Sequence, residues 1–157
     1  MSPDTADACI VEEIVVNAPA ARVFDAFADP AERVKWWHVE GRFRATAMDS
    51  DLRPGGAWMM SGIGMQGRPF VVRGSYRIVQ RPTLLEFTWL PDWQGDGLET
   101  IVRLEFAERD GATHVRLTHS GLASDPARQS HRGWPQVLLA LRDHCVASVD
   151  GRLPTGA

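Results

Sequence analysis

Cysteine is scarce in this chain: 157 residues hold only Cys9 and Cys145, far apart and in no metal-ligand or redox spacing. A disulfide scaffold, a dithiol motif and a cysteine-built metal centre are thereby excluded, and both residues read as small buried hydrophobes. Long hydrophobic runs are also missing. The longest aliphatic stretch, Val137 to Leu141, is far too short to cross a bilayer, so no membrane partner is expected. Met1 to Ala8 carries Asp4 and Asp7 and lacks the basic and apolar regions of a secretory signal, which points to a reducing, cytoplasmic setting. Nor is there a basic stripe. With 17 Lys+Arg against 20 Asp+Glu the formal net charge is −3, and the arginines are scattered, which argues against nucleic acid as a partner.

Catalytic signatures are equally sparse. His38, His114, His119, His131 and His144 show no ligand spacing, so no metal is expected. The serines at 61, 75, 120, 124 and 130 lack a nucleophile-elbow context. The run Gly62-Ile63-Gly64-Met65-Gln66-Gly67 joins two strand-like segments and opens no helix, so it is no dinucleotide loop, and no cofactor is expected. No residue is assigned a catalytic role.

What is present is period. With 44% hydrophobic and 24% charged residues, the composition is that of a globular chain, read as one domain over 1–157 with an ordered core of about 9–150. Residues 9–16 form an Ile/Val-rich strand. From Pro19, Val23, Phe24 and Phe27 recur at helical spacing as far as Asp29-Pro30, and a second short helix, Ala31 to Trp37, presents Val34 and Trp37 on one side. From about 42 to 120 the period is two, in about six strands. Phe70, Val72, Gly74, Tyr76 and Ile78 share one face, as do Leu85, Phe87 and Trp89; Val102, Leu104 and Phe106; and Val115, Leu117 and His119. Short turns between them imply an antiparallel meander. A final helix is secure from about Trp134, with 126–133 as an uncertain first segment, Leu138, Leu141 and Cys145 on its apolar face and Gly151 as its stop.

An apolar sheet face needs a cover, and only the last helix is long enough. The fold is therefore α+β: a curved antiparallel sheet gripping a long C-terminal helix, with two short helices after strand one. Such layers leave room for a cavity between sheet and helix. The turn Asp51-Leu52-Arg53-Pro54-Gly55-Gly56 is read as structural, with positive φ at its glycines. The residues expected to border a ligand are Trp58, Met60, Phe70, Val72, Phe87, Trp89, Leu117, His119, Leu138 and Leu141. Trp37 and Trp134 are read as pins for their helices, and Met59, Met60 and Met65 as an adaptable apolar entrance. His119, on the inward register, reads first as a hydrogen-bonded core residue. Of Glu12 and Glu13, one must face inward, with Arg103 as a conceivable partner.

The order of several motifs, Asn17-Ala18-Pro19 with Val23-Phe24, Asp29-Pro30 with Trp36-Trp37, the 51–56 turn, Leu85-Glu86-Phe87-Thr88-Trp89, Thr118-His119-Ser120-Gly121 and Gly133-Trp134, resembles the bacterial SRPBCC proteins over roughly 10–150. More narrowly it resembles the group related to the C-terminal domain of the activator of the ninety-kilodalton heat-shock chaperone's ATPase. The resemblance implies a START-like, birch-pollen-allergen-like fold with a cavity for a small apolar molecule. It implies no single activity, because the superfamily spans lipid carriers, polyketide cyclases and chaperone activators. Binding of a small apolar ligand is the first expectation. A cyclase- or hydrolase-type enzyme using His119 or an inward Glu, and a stress-response interaction module with a chaperone partner, stay open beside it, as does a homodimer.

Overall fold

The computed structural model describes residues 9–92, 99–122, 128 and 131–152. Its elements run β1 (Cys9–Val16), α1 (Ala20–Ala28), α2 (Pro30–Trp36), β2 (His38–Val39), β3 (Phe43–Ser50), β4 (Ala57–Ile63), a 3-10 turn (Met65–Gly67), β5 (Pro69–Gln80), β6 (Leu84–Pro91), β7 (Thr100–Arg109), β8 (Ala112–Ser120) and α3 (Trp134–Arg152). The strands make one sheet in the order β1-β8-β7-β6-β5-β4-β3-β2, antiparallel at every junction. The α+β, helix-gripping fold read from the sequence is the fold observed. α3 packs on both edge strands, β1 and β2, and on α1 and α2, so it spans the concave side of the curled sheet. Leu138, Leu141 and Cys145 are buried, as their spacing predicts. Half of the 126–133 segment, residues 126, 127, 129 and 130, lies outside the described residues. The helix runs on to Arg152, one residue beyond the expected stop at Gly151.

Local chemistry explains the helical corner. Pro19 offers α1 no side-chain cap, and the Glu108 carboxylate from β7 accepts the Ala20 N–H instead, at 2.9 Å. Asp29 ends α1 and caps α2, accepting from Ala31 N–H at 2.9 Å with Pro30 in the first turn. The buried face of α2 includes the expected Trp37 and is broader than the sequence suggests. Arg33, Trp36 and Trp37 are buried, while Val34 is only half-buried.

A bulge in β5 corrects the strand pattern. Tyr76 pairs with Phe87 but Ile78 pairs with Glu86, so the register slips at Arg77. One extra residue moves every later side chain to the other face. Ile78 therefore leaves the inward set, and Val79 packs against the core in its place. Outside, Glu86 receives Arg77 and Arg103, each at 3.0 Å. Arg103 is thus committed to the face opposite Glu12. Glu12 sits half-buried across from the inward Leu117, and Glu13 meets His114 at 2.8 Å. Of the two cysteines only Cys145 is buried, and burial pushes its thiol up to about 11; Cys9 is half-buried.

The Asp51–Gly56 turn caps the end of the sheet that also carries the β5–β6 and β7–β8 turns. Gly55 has φ +84°, and its N–H donates to the Tyr76 carbonyl at 2.8 Å, while Tyr76 N–H returns a bond to the Gly56 carbonyl at 2.9 Å. Gly56 is required for another reason: a Cβ there would overlap the Asp51 carbonyl oxygen. Gly55→Val should therefore lower unfolding stability by roughly 1–3 kcal/mol through backbone strain, and Gly56→Ala should cost at least as much through the overlap. Urea midpoints unchanged in both variants would show that this turn tolerates side chains.

Candidate functional site: an aromatic cavity at the open end of the sheet

The opposite end carries the 40–42 and 64–68 turns and the approach to α3, and a cavity of about 650 Å³ opens there. Strands supply Phe43, Met60, Phe70, Val72 and Trp89 to its wall, Trp37 follows α2, and α3 adds Trp134 and Val137. This volume and its mostly apolar lining are those of small-molecule sites in general. Arg42, Met65, Arg68 and Arg132, all exposed, belong to the lining at the solvent side, with Asp92 and the buried His131.

Four of the ten residues expected around a ligand border this space: Met60, Phe70, Val72 and Trp89. Trp58, Phe87, Leu117, His119, Leu138 and Leu141 are buried in the adjoining core and are not part of its lining. Trp37 and Trp134 do more than pin helices, since both face the cavity. Met65 stands at the mouth and Met60 on the wall, whereas Met59 is exposed and not in the lining. His131 and the three arginines were absent from the sequence-based set. Their one local signal is that Arg42, Arg68 and Arg132 each adjoin a glycine in a turn or loop.

Behind Trp89 and Trp134 a buried polar chain fixes the rings. An indole N–H can only donate, so the bond from Trp134 Nε1 to His119 Nδ1, at 3.0 Å, requires that nitrogen to be bare. A neutral His119 then carries its proton on Nε2 and gives it to Thr100 Oγ1 at 2.7 Å, and Thr100 donates onward to the Trp89 carbonyl at 3.3 Å. Trp89 Nε1 donates to His131 Nε2 at 3.0 Å. Both nitrogens of His119 are thus used, and burial, reinforced by His131 nearby, pushes its pKa down to about 3. His119 is a core hydrogen-bonding residue, and no proton remains on it to exchange with the cavity.

On the far side of Trp37 lies Arg33, 1% exposed. Its Cζ stands 4.4 Å from the ring centroid of Phe27, 4.5 Å from Trp37, 5.6 Å from Trp58 and 5.8 Å from Phe87. Its Nε and Nη2 have no hydrogen-bond partner among the described residues, nor has Trp58 Nε1. Burial pushes the guanidinium down to about 10, so it stays charged at neutral pH. That desolvation costs on the order of 3 kcal/mol, and four ring faces at about 0.5–1 kcal/mol each offset most of it.

Two outcomes follow for stability. Because the charge is nearly compensated, Arg33→Met, which keeps volume and removes charge, should leave the unfolding free energy within about 1 kcal/mol or raise it; Arg33→Ala should lose about 3–5 kcal/mol by opening a void among the rings. Equal losses in both would show that the charge itself holds the cage. For His119, a folded pKa below the unfolded value means that the unfolded chain binds the extra proton. Its contribution is complete above about pH 6.5 and is lost, at up to about 1.4 kcal/mol per pH unit, as pH falls toward 3. His119→Gln, which can accept and donate in the same directions, should flatten this part of the curve measured by urea unfolding from pH 7 to 4; an unchanged slope would assign the acid sensitivity elsewhere.

Among the described residues, no helix is long and apolar enough to cross a membrane, and no cluster of His, Cys, Asp and Glu has a metal-holding arrangement. No curated protein matches the chain. Among solved structures, a Chromobacterium violaceum protein superposes with a TM-score of 0.77 at 26% identity, over 87% of this chain and 96% of that one. The AHSA1 protein of Silicibacter pomeroyi gives 0.77 at 25% identity, over 90% and 99%. An AHSA1-like protein of Aeromonas hydrophila shares the fold, with a TM-score of 0.70 at 24% identity over 88% and 94%. The model of the activator of Hsp90 ATPase homolog 1-like family matches residues 17–145, and with the helix-gripping fold and the ordered motifs it follows that the chain belongs to that family.

Proposed function

We propose that this protein binds a small apolar molecule in the cavity at the open end of the sheet, as a cytoplasmic carrier or sensor. The observation that carries this reading is the cavity wall itself. Side chains from four strands and two helical elements leave about 650 Å³ open to solvent between rings that are otherwise closely packed, with Trp37, Trp89 and Trp134 at mutual centroid distances of 5.2–6.2 Å. A core that sought only stability would fill such a space, because each void forfeits dispersion contacts. Among the described residues His131 is the one histidine in the lining, and its Nε2 is engaged by Trp89, which favours binding over acid–base chemistry.

Titration with the neutral apolar fluorophore N-phenyl-1-naphthylamine should give saturable enhancement and tryptophan quenching with a micromolar Kd, about −8 kcal/mol. Trp89→Ala should weaken binding about tenfold while far-UV circular dichroism keeps its β signature. Non-saturable fluorescence with the wild-type protein would reject the binding reading.

A further inference from the structure

We propose that the cavity selects molecules with an apolar body and a single anionic head, a carboxylate being the simplest. The inference rests on the binding reading above and specifies which class of ligand the site takes. The wall and the mouth differ in chemistry. The wall is aromatic and aliphatic, while the mouth gathers Arg42 from the β2–β3 turn, Arg68 from the β4–β5 turn and Arg132 from the segment before α3. Three segments remote in sequence thus bring cations to one opening on a chain whose formal net charge is −3.

What sets these arginines apart is that three without a carboxylate partner meet at one opening, whereas Arg33, Arg44, Arg73 and Arg109, which hold none among the described residues either, lie outside its lining. Arg22, Arg53, Arg77, Arg81, Arg103 and Arg142 each hold a carboxylate within 3.1 Å. Among the described residues, Arg42, Arg68 and Arg132 hold none. Among the described residues the one carboxylate in the lining is Asp92, and it is used by the backbone: its Oδ2 accepts the Val71 N–H at 3.0 Å while its own N–H donates to the Val71 carbonyl at 2.9 Å. Among the described residues the mouth therefore presents three guanidinium groups against one carboxylate already hydrogen-bonded. An amphipathic anion lying along the cavity would bury its tail against Met60, Val72 and Trp89 and leave its head among forked donors that match a carboxylate's geometry. A neutral ligand would gain only the first contribution, and a cationic one would meet repulsion.

The test is competition against N-phenyl-1-naphthylamine at pH 8 by three molecules of equal chain length: dodecanoate, dodecanol and dodecylammonium. In 20 mM salt dodecanoate should displace the probe at about one tenth the concentration of dodecanol, with dodecylammonium weakest, and in 0.5 M salt the dodecanoate advantage should shrink to about twofold through screening. In Arg68→Glu/Arg132→Glu, both exposed positions, the ratio of dodecanol to dodecanoate affinities should fall to about one or below. Equal displacement by dodecanoate and dodecanol in the wild type, or a ratio that survives the charge reversal, would overturn the proposal and leave the cavity as a neutral apolar site. Absence of saturable probe binding would overturn the binding reading, and this proposal with it.

Discussion

The indole of Trp37 is the constraint on which both halves of the interior depend. It is buried directly after α2, stands 4.5 Å from the Arg33 guanidinium, and contacts Phe27, Trp36, Phe43, Trp89 and Trp134 through ring centroids 5.5–6.5 Å apart. The same ring borders the cavity. It joins a closed, fully packed end, where a cation is held by π-faces, to an open end where the rings leave space. Aromatic pairs gain geometry-dependent energy beyond burial, so the array keeps its spacing even where one side of it meets a void.

Polar groups reinforce that arrangement. Two of the three indoles on the cavity wall are tied by their N–H, Trp134 to His119 and Trp89 to His131, and behind them Trp36 donates to the Ala26 carbonyl at 2.7 Å. A ring fixed at its nitrogen loses rotational freedom before any ligand arrives, which lowers the ordering cost of binding. Thr100 and His119 supply the rest of the chain, at one end of the β7–β8 pair and both buried. Of these partners only His131 itself borders the cavity; His119 and Thr100 hold its rings from behind.

How much of this could be read from the residues depends on the kind of pattern each feature leaves. Alternation over β6, β7 and β8 is uninterrupted, so their inward faces were legible, including His119. In β5 the alternation looked equally clean, but the bulge at Arg77 is a register event set by pairing with β6, and nothing in Tyr76-Arg77-Ile78 signals it. Arg33 was passed over because a charged residue is expected to face water, although its spacing three and four residues before Trp36 and Trp37 places it on the same helical face. The cavity's actual wall was half legible. Strand register identifies inward residues, whereas their position along the strand decides between packed core and open mouth. That distinction depends on how the sheet curls and where α3 begins, which involves residues far apart in the chain.

The adjacency of β1 and β8 carries a consequence for how the molecule comes into being. Strand Cys9–Val16 finds its hydrogen-bonding partner only in Ala112–Ser120, some hundred residues later, with Glu13 and His114 bonded across a separation of 101. Every other strand pair joins sequence neighbours and can form as local hairpins. During synthesis the first strand leaves the ribosome with its edge unpaired and its inward Ile10, Ile14 and Val16 uncovered, and must wait for β8 before that edge is bonded. The loop to be closed is the longest in the sheet, so this junction carries the largest single loop-closure cost and is the natural last step of assembly.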